Sequence, residues 1–448
     1  MNTNRSVTGS RNVRTLVAMA IVAASIPATA FAQSFPELDA ARTAAQASPT
    51  DAEAQARLGD ALLEARDIAG ARAAFEAALR ARANWVRALW GLARTRMAEG
   101  NYEESRSACQ KVIHAAGQAS ADGHVCMGQA YLVWRRSSLA IEEFDKALEA
   151  DPSNAQALCG IGDAHARANE IDAAIASYRD AVSKDGSLVE ARVGLATMLE
   201  RNGDTAGAVE QLNAALSARS WSADVHYNLG RLLTDANAAV EHLAQAVAIR
   251  PAFTDAQLEY GRRLSAVGRY ADAVAPLRAA LAALPNVGQV KELLGIALWK
   301  TGALDEAETL LRGAVQAVSN SARANEALGE VLIALNKTDD GLGFLETASN
   351  LDRSNVGIQY RMAELLHAAG RDTLATGWLD KAIGIRATFS LAHQLYADIL
   401  FGQNRYAEAM VHYQAAVAGD GQGIDAARCS QRIGQIQAGI QPPSIEDD

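Results

Sequence analysis

What most constrains this chain is that it repeats itself. A small residue following an apolar one recurs at Gly59, Ala93, Gly128, Gly162, Ala196, Gly230, Gly261, Gly295, Gly329, Ala363 and Ala397. The spacings are 34, 35, 34, 34, 34, 31, 34, 34, 34 and 34 residues. In most units a second small residue stands twelve positions on (Ala71, Ala140, Ala174), a large one four later (Phe75, Phe144, Tyr178) and a third small one three later (Ala78, Ala147, Ala181). A fixed period of this length makes each unit one supersecondary element, and missing it would misread the whole fold.

Each unit carries two stretches with apolar residues at i, i+3, i+4 and i+7, separated by turns such as Glu99-Gly100-Asn101 and Asn202-Gly203-Asp204. These are two antiparallel helices, A and B. The small positions remove bulk where helices cross, so backbones approach closely, and the large residue fills the remaining gap. Pro152, Pro251 and Pro285 fall just after helix B, where proline ends one unit and leads into the next. A single unit cannot bury its apolar face, whereas stacked neighbours can. The length of 448 residues alone suggests about three globular domains. The period instead predicts one all-α solenoid with a continuous core. An aromatic content of only 5% agrees with helices rather than a β-sandwich.

The unit at residues 121–154, with Met127-Gly128, Tyr131, Ala140, Phe144, Ala147 and Pro152, shows the pattern most fully. It resembles the tetratricopeptide repeat family, and the resemblance runs in one phase through eleven units, over about residues 51–417. It implies a right-handed α-α superhelix whose concave wall is lined by helix A, and a role in binding other proteins. Some units depart from the pattern. Arg96 replaces the usual aromatic, and Cys109 with Val112 take the large and small positions of the second unit.

The ends read differently. Arg5, Arg11 and Arg14 give a positive start, residues 16–26 are apolar, and Ala30-Phe31-Ala32 places small residues before Gln33. Residues 1–32 therefore read as a cleavable secretory signal, since eleven apolar residues fall well short of the ~20 that span a bilayer. No Cys follows for a lipid anchor, and no adjacent Arg pair precedes. The expected location is periplasmic or secreted, with no integral membrane segment after removal of the signal. Residues 33–50 are expected to hold a capping helix at 35–47, residues 51–419 the solenoid, residues 420–440 a second capping helix at 424–438, and residues 441–448 a disordered acidic tail. The sixth unit is three residues short, which predicts a tight turn over Thr234-Asp235-Ala236-Asn237, read as a trimmed loop in preference to a hinge. Pro276 is expected to kink the seventh helix B.

The sequence holds no H-E-x-x-H, C-x-x-C, G-x-S-x-G or G-x-x-x-x-G-K-[ST] motif, so no enzyme activity and no cofactor are expected. The formal charge is −10, and loss of the three signal-peptide arginines makes it −13, which argues against a nucleic-acid partner. His124 and Cys126, with Cys109 and His114 upstream, form the one local cluster with metal-ligand chemistry, at irregular spacing. Cys109 and Cys126 also lie at about equal height on antiparallel neighbours, so a disulfide between them is feasible. Against it stand Cys109 as a core filler with Cys126 free, and Cys159 as a rival partner. Cys429 reads as unpaired.

The resemblance places ligand contacts on helix A, at the residue after the small position and nearby. That nominates Trp90, Arg94, Tyr227, Asn228, Arg231, Arg262, Trp299, Glu330, Tyr360, Arg361 and Glu364 as groove residues, with Arg231 and Arg262 as a basic centre and Glu330, Glu364 and Asp398 as an acidic C-terminal half. Exposed aromatics beside arginines are the usual stuff of binding hot spots. The paired Lys and Asn by which some relatives grip a chaperone's C-terminal carboxylate are replaced here by Ala56 and Asp60, Trp90 and Arg94, and Val125 and Gln129. The reading is a non-catalytic scaffold of the bacterial cell envelope that holds partner peptide segments. The alternative is an accessory subunit that binds glycan or peptidoglycan for a polysaccharide synthesis or export system.

Overall fold

The computed structural model describes residues 36–439. The expected signal peptide and acidic tail lie outside the described residues. Within them the chain forms 24 α-helices and no strand. Helices α2 (Ala52–Glu64) to α23 (Tyr406–Ala418) make eleven antiparallel pairs, the even-numbered helix of each pair being A and the next odd one B. Helix α1 (Pro36–Ala47) packs on α2, and α24 (Ala426–Gln437) packs on α23. Each helix contacts its neighbours in chain order, and many A helices also touch the A helix of the next pair. The result is an α-α solenoid with one core running along it.

The repeat pattern is a packing pattern. In α3 (Ile68–Ala81), Ala71, Phe75 and Ala78 are completely buried. A Cβ added at Gly59 would lie 2.7 Å from Phe75 Cζ, and one at Gly91, in α4 (Val86–Ala98), 2.2 Å from Phe75 Cε1. Phe75 is therefore gripped between a glycine of its own pair and a glycine of the next. Phe144 lies likewise between Gly128 and Gly160, and Tyr178 between Gly162 and Gly194. The second glycine of each grip stands two residues before the small position of the following unit. In the second repeat that same contact is a covalent bond. Cys109 of α5 (Tyr102–Ala116) occupies the large position, Cys126 of α6 (Ala121–Val133) occupies the facing position, and the two are joined, with their Cα atoms 5.4 Å apart. These sulfurs are thus unavailable to a metal ion, and His124 faces Glu143 at 2.8 Å instead. Cys159 and Cys429 are free and buried.

A second regularity holds the turns between repeats. Four residues before the small position, inside an otherwise apolar helix face, six of the eleven units place a polar side chain that donates to the carbonyl six residues earlier. These are Gln55 to Pro49 (3.3 Å), Arg192 to Gly186 (2.7 Å), His226 to Ser220 (3.0 Å), Gln257 to Pro251 (3.0 Å), Gln359 to Arg353 (3.3 Å) and His393 to Ala387 (3.0 Å). A carbonyl in a tight connection has no ladder partner, and burying it unpaired is unfavourable, so the side chain replaces the missing donor. In two units the donor is one half of a histidine pair. His226 and His242 face each other at 3.0 Å between Nδ1 atoms, and so do His393 and His412, at the same two repeat positions.

One local expectation changes. The three residues missing from the sixth unit come out of the A helix, and the turn keeps the three residues it has in the fifth unit. Helix α12 (Ala223–Leu232) has 10 residues where α10 (Val189–Arg201) has 13, and α13 (Ala236–Ile249) begins inside the expected turn, with Asp235 accepting from the Ala238 N–H at 2.7 Å. Helix α15 (Tyr270–Ala283) passes through Pro276 as one helix.

Candidate functional site

The A helices line the inner wall, and the groove residues named from sequence divide into two settings. In the C-terminal repeats their charges are paired with one another. Arg231 makes a two-pronged contact with Glu200, one prong of 2.6 Å. Arg262 binds Glu259 at 2.7 and 2.6 Å. Glu330 accepts from Arg361 at 2.8 and 3.1 Å, and Arg361 also reaches Glu364 at 2.5 Å. The basic centre and acidic half are thus a ladder of ion pairs, two of them, Arg231–Glu200 and Arg361–Glu330, spanning adjacent repeats. Asn228 is turned back on its own helix, donating to the Asp224 carbonyl at 2.8 Å. The aromatics are half-buried and in contact. The Tyr227 ring lies 4.9 Å from that of Phe253, the Tyr360 ring 5.7 Å from that of Phe389, and Lys300 Nζ sits 3.6 Å from the Trp299 ring centre.

In the N-terminal repeats the wall closes on itself. Arg94 pairs with Asp60 at 3.1 Å, and Trp90 packs between the cores of the second and third repeats. Both line space inside the coil. A cavity of about 490 Å³ is bounded by residues of six successive A helices, among them Glu64, Arg94, Gln129, Asp163, Glu190 and Asp224. A further 210 Å³ adjoins it beside Trp90 and Gln156. A lumen bounded by the first and sixth repeats together exists because these repeats touch.

That contact is a seam. Leu62 and Leu63, at the end of α2, share one buried cluster with Ala223 and Ile249 of the sixth repeat, and Trp221 and Phe253 pack against it. Arg219 reaches Glu64 at 3.7 Å and Glu190 at 3.1 Å. Arg250, itself buried, binds Asp224 at 3.2 and 2.6 Å and lies 4.3 Å over the Phe253 ring. Ile249 shows what the seam covers. It is 7% exposed, whereas Leu351 and Ile385, at the same repeat position farther along, are 42% and 46% exposed.

The seam is incompletely satisfied. Three buried side-chain polar atoms among the described residues have no hydrogen-bond partner, and two of them, Glu64 Oε1 and Arg250 Nε, flank it. Burial pushes the Glu64 carboxyl above its ordinary range, against the pull of Arg219. An unpaired buried polar atom costs about 1–3 kcal/mol, and covering a side chain such as Ile249 contributes about 1.5–3 kcal/mol. The unpaired atoms thus offset part of what the apolar contact of the seam contributes.

Sequence reading missed Glu64, Arg219 and Arg250, since they meet only after five repeats of curvature have accumulated. One signal was available. Ile249 is a large apolar residue at a helix end where most units place a small or polar one. Among the described residues no group of three or more His, Cys, Asp and Glu side chains could hold a metal ion, and no helix is long and apolar enough to cross a membrane.

The tetratricopeptide repeat model matches residues 36–84, 56–121, 127–189 and 258–322, so the chain carries tetratricopeptide repeats in these segments. Among solved structures, the chain is similar to residues 41-end of MamA from Desulfovibrio magneticus RS-1, at 20% identity over 37% of this chain and 96% of that one, with a TM-score of 0.34. It is also similar to the Cut9-Hcn1 hetero-tetramer of APC/C (12% identity, 86% and 96% covered, TM-score 0.40). The P58(IPK) TPR domain is similar at 16% identity, with 86% and 97% covered and a TM-score of 0.36. No curated protein matches the chain.

Proposed function

We propose that this chain is a non-catalytic scaffold that holds peptide segments of partner proteins on its concave wall, and that it works outside the cytoplasm, in the bacterial envelope. The carrying observation is the wall itself. The A helices present the half-buried aromatics Trp90, Tyr227, Trp299 and Tyr360 along it, and its arginines Arg94, Arg231, Arg262 and Arg361 are held in ion pairs. Such a surface suits a partner read by stacking, apolar contact and hydrogen bonds, more than one gathered by charge. The Cys109–Cys126 bridge supports an oxidising compartment, where disulfides persist, and it agrees with the signal-like N-terminus.

Photo-crosslinking in the native host tests this. A crosslinking side chain at Trp299 or Tyr360 should capture a discrete protein, and one at Val411, which is 59% exposed on a B helix, should not. Capture from Val411 alone, or retention of the purified protein on polysaccharide without any protein captured at the wall, would reject the reading in favour of another surface or of the glycan-binding alternative.

A further inference from the structure

We propose that the seam between the first and sixth repeats is a clasp, which must open for a partner to reach the N-terminal part of the concave wall. The inference rests on the reading of that wall as a binding surface, and it assigns the seam the task of controlling access.

Three observations carry it. The first is size. A helix with its side chains is a cylinder about 11 Å across, and each turn of 5.4 Å fills roughly 500 Å³. The lumen beside the seam, about 490 Å³, therefore has room for about one turn, less than a partner segment that is to touch several repeats. The second is chemistry. The seam holds Glu64 Oε1 and Arg250 Nε buried and unpartnered, a condition the open form relieves by hydrating both. The third is position. The seam joins the end of α2 to the turn that carries Arg219 and Ser222 and, through Ile249, to the end of α13. The cation that pairs with the Glu64 carboxylate across the seam is Arg219, at 3.7 Å, with Arg250 acting on it from farther away, and Arg219 is shared with Glu190 at 3.1 Å. A partner that binds only the open coil shifts the equilibrium towards it by its own binding free energy.

The experiment reads the clasp without any partner. Nitroxide labels are placed at Ala69 and Ser217, both exposed and on opposite sides of the seam, in full-length mature protein with Cys159 and Cys429 changed to Ala and the native disulfide intact. Pulsed dipolar spectroscopy should give two distances, the shorter one dominant. Arg219→Ala, which leaves Glu64 buried without its cation, should raise the long-distance fraction at least threefold. Glu64→Leu, which removes the unsatisfied carboxylate from an apolar contact, should reduce that fraction at least threefold. Helix content by circular dichroism should be unchanged in both. A single short distance that neither substitution moves would overturn the clasp. In the host, Glu64→Leu should suppress partner crosslinks from Trp90 and leave those from Trp299 intact. Undiminished Trp90 crosslinks in Glu64→Leu would overturn the gating role. Absence of crosslinks at both positions would instead tell against the binding surface, and leave the spectroscopic result on the clasp to stand by itself.

Discussion

At the scale of single residues, the repeat is a matter of fractions of an ångström. Glycine is required at Gly160 because its backbone passes so close to Phe144 that a Cβ would lie 2.2 Å from Cζ. Gly160→Ala should therefore destabilise by about 1–3 kcal/mol, the usual penalty for overfilling a packed core. Its urea midpoint should fall, and combining it with Phe144→Leu should recover part of the loss. The histidine pairs make a prediction of the opposite kind. Burial holds His226, His242 and His412 below their ordinary value of 6.5, with His393 adding to the effect on His412. A histidine whose folded-state value is lowered contributes stability above 6.5 that is lost as pH falls through the lowered value. The melting temperature should accordingly drop as pH falls below about 6.5. His242→Gln keeps a donor for His226 Nδ1 without a second titrating ring; the preceding repeat carries Gln211 at this position, where its Oε1 accepts from Arg192 at 2.8 Å. It should flatten that profile, and an unchanged profile would remove the pair from the explanation.

At the scale of helices, the local half of the pattern was legible and the half between repeats was not. Ala71, Phe75 and Ala78 announce themselves because three residues on one helix face share a period. Gly91, their partner from the next unit, lies on another helix, and nothing in its own neighbourhood marks it. The same cause hid the ion-pair ladder. Arg231 and Arg262 read as a basic centre when taken alone, and only the stacking of successive A helices brings Glu200 to the first, while Glu259, on the same helix, accounts for the second. The cysteines show how far the register could have been pushed. Cys109 sits where other units hold Phe or Tyr, so its bridge to Cys126 does covalently what the aromatic–glycine grip does elsewhere. Closing a loop of this length contributes about 3 kcal/mol. Reduction should lower the melting temperature of the wild-type chain and leave that of a Cys109→Ala, Cys126→Ala double variant unmoved by reductant, as differential scanning calorimetry with and without reductant would show.

At the scale of the molecule, stability is a sum of units and the contacts between neighbours, with one exception where distant repeats meet. The period foretold the solenoid because it requires only that like follows like. The seam depends on the total curvature of five repeats, to which every crossing angle contributes, and no short stretch of sequence encodes it. The account's central claim is that all eleven pairs stack into one continuous curved solenoid. Small-angle X-ray scattering of residues 33–448 tests it most directly. A compact globule of this length has a radius of gyration of about 22 Å. The solenoid predicts a clearly larger value and a distance distribution with a long tail, whereas a value near 22 Å with a symmetric distribution would contradict it.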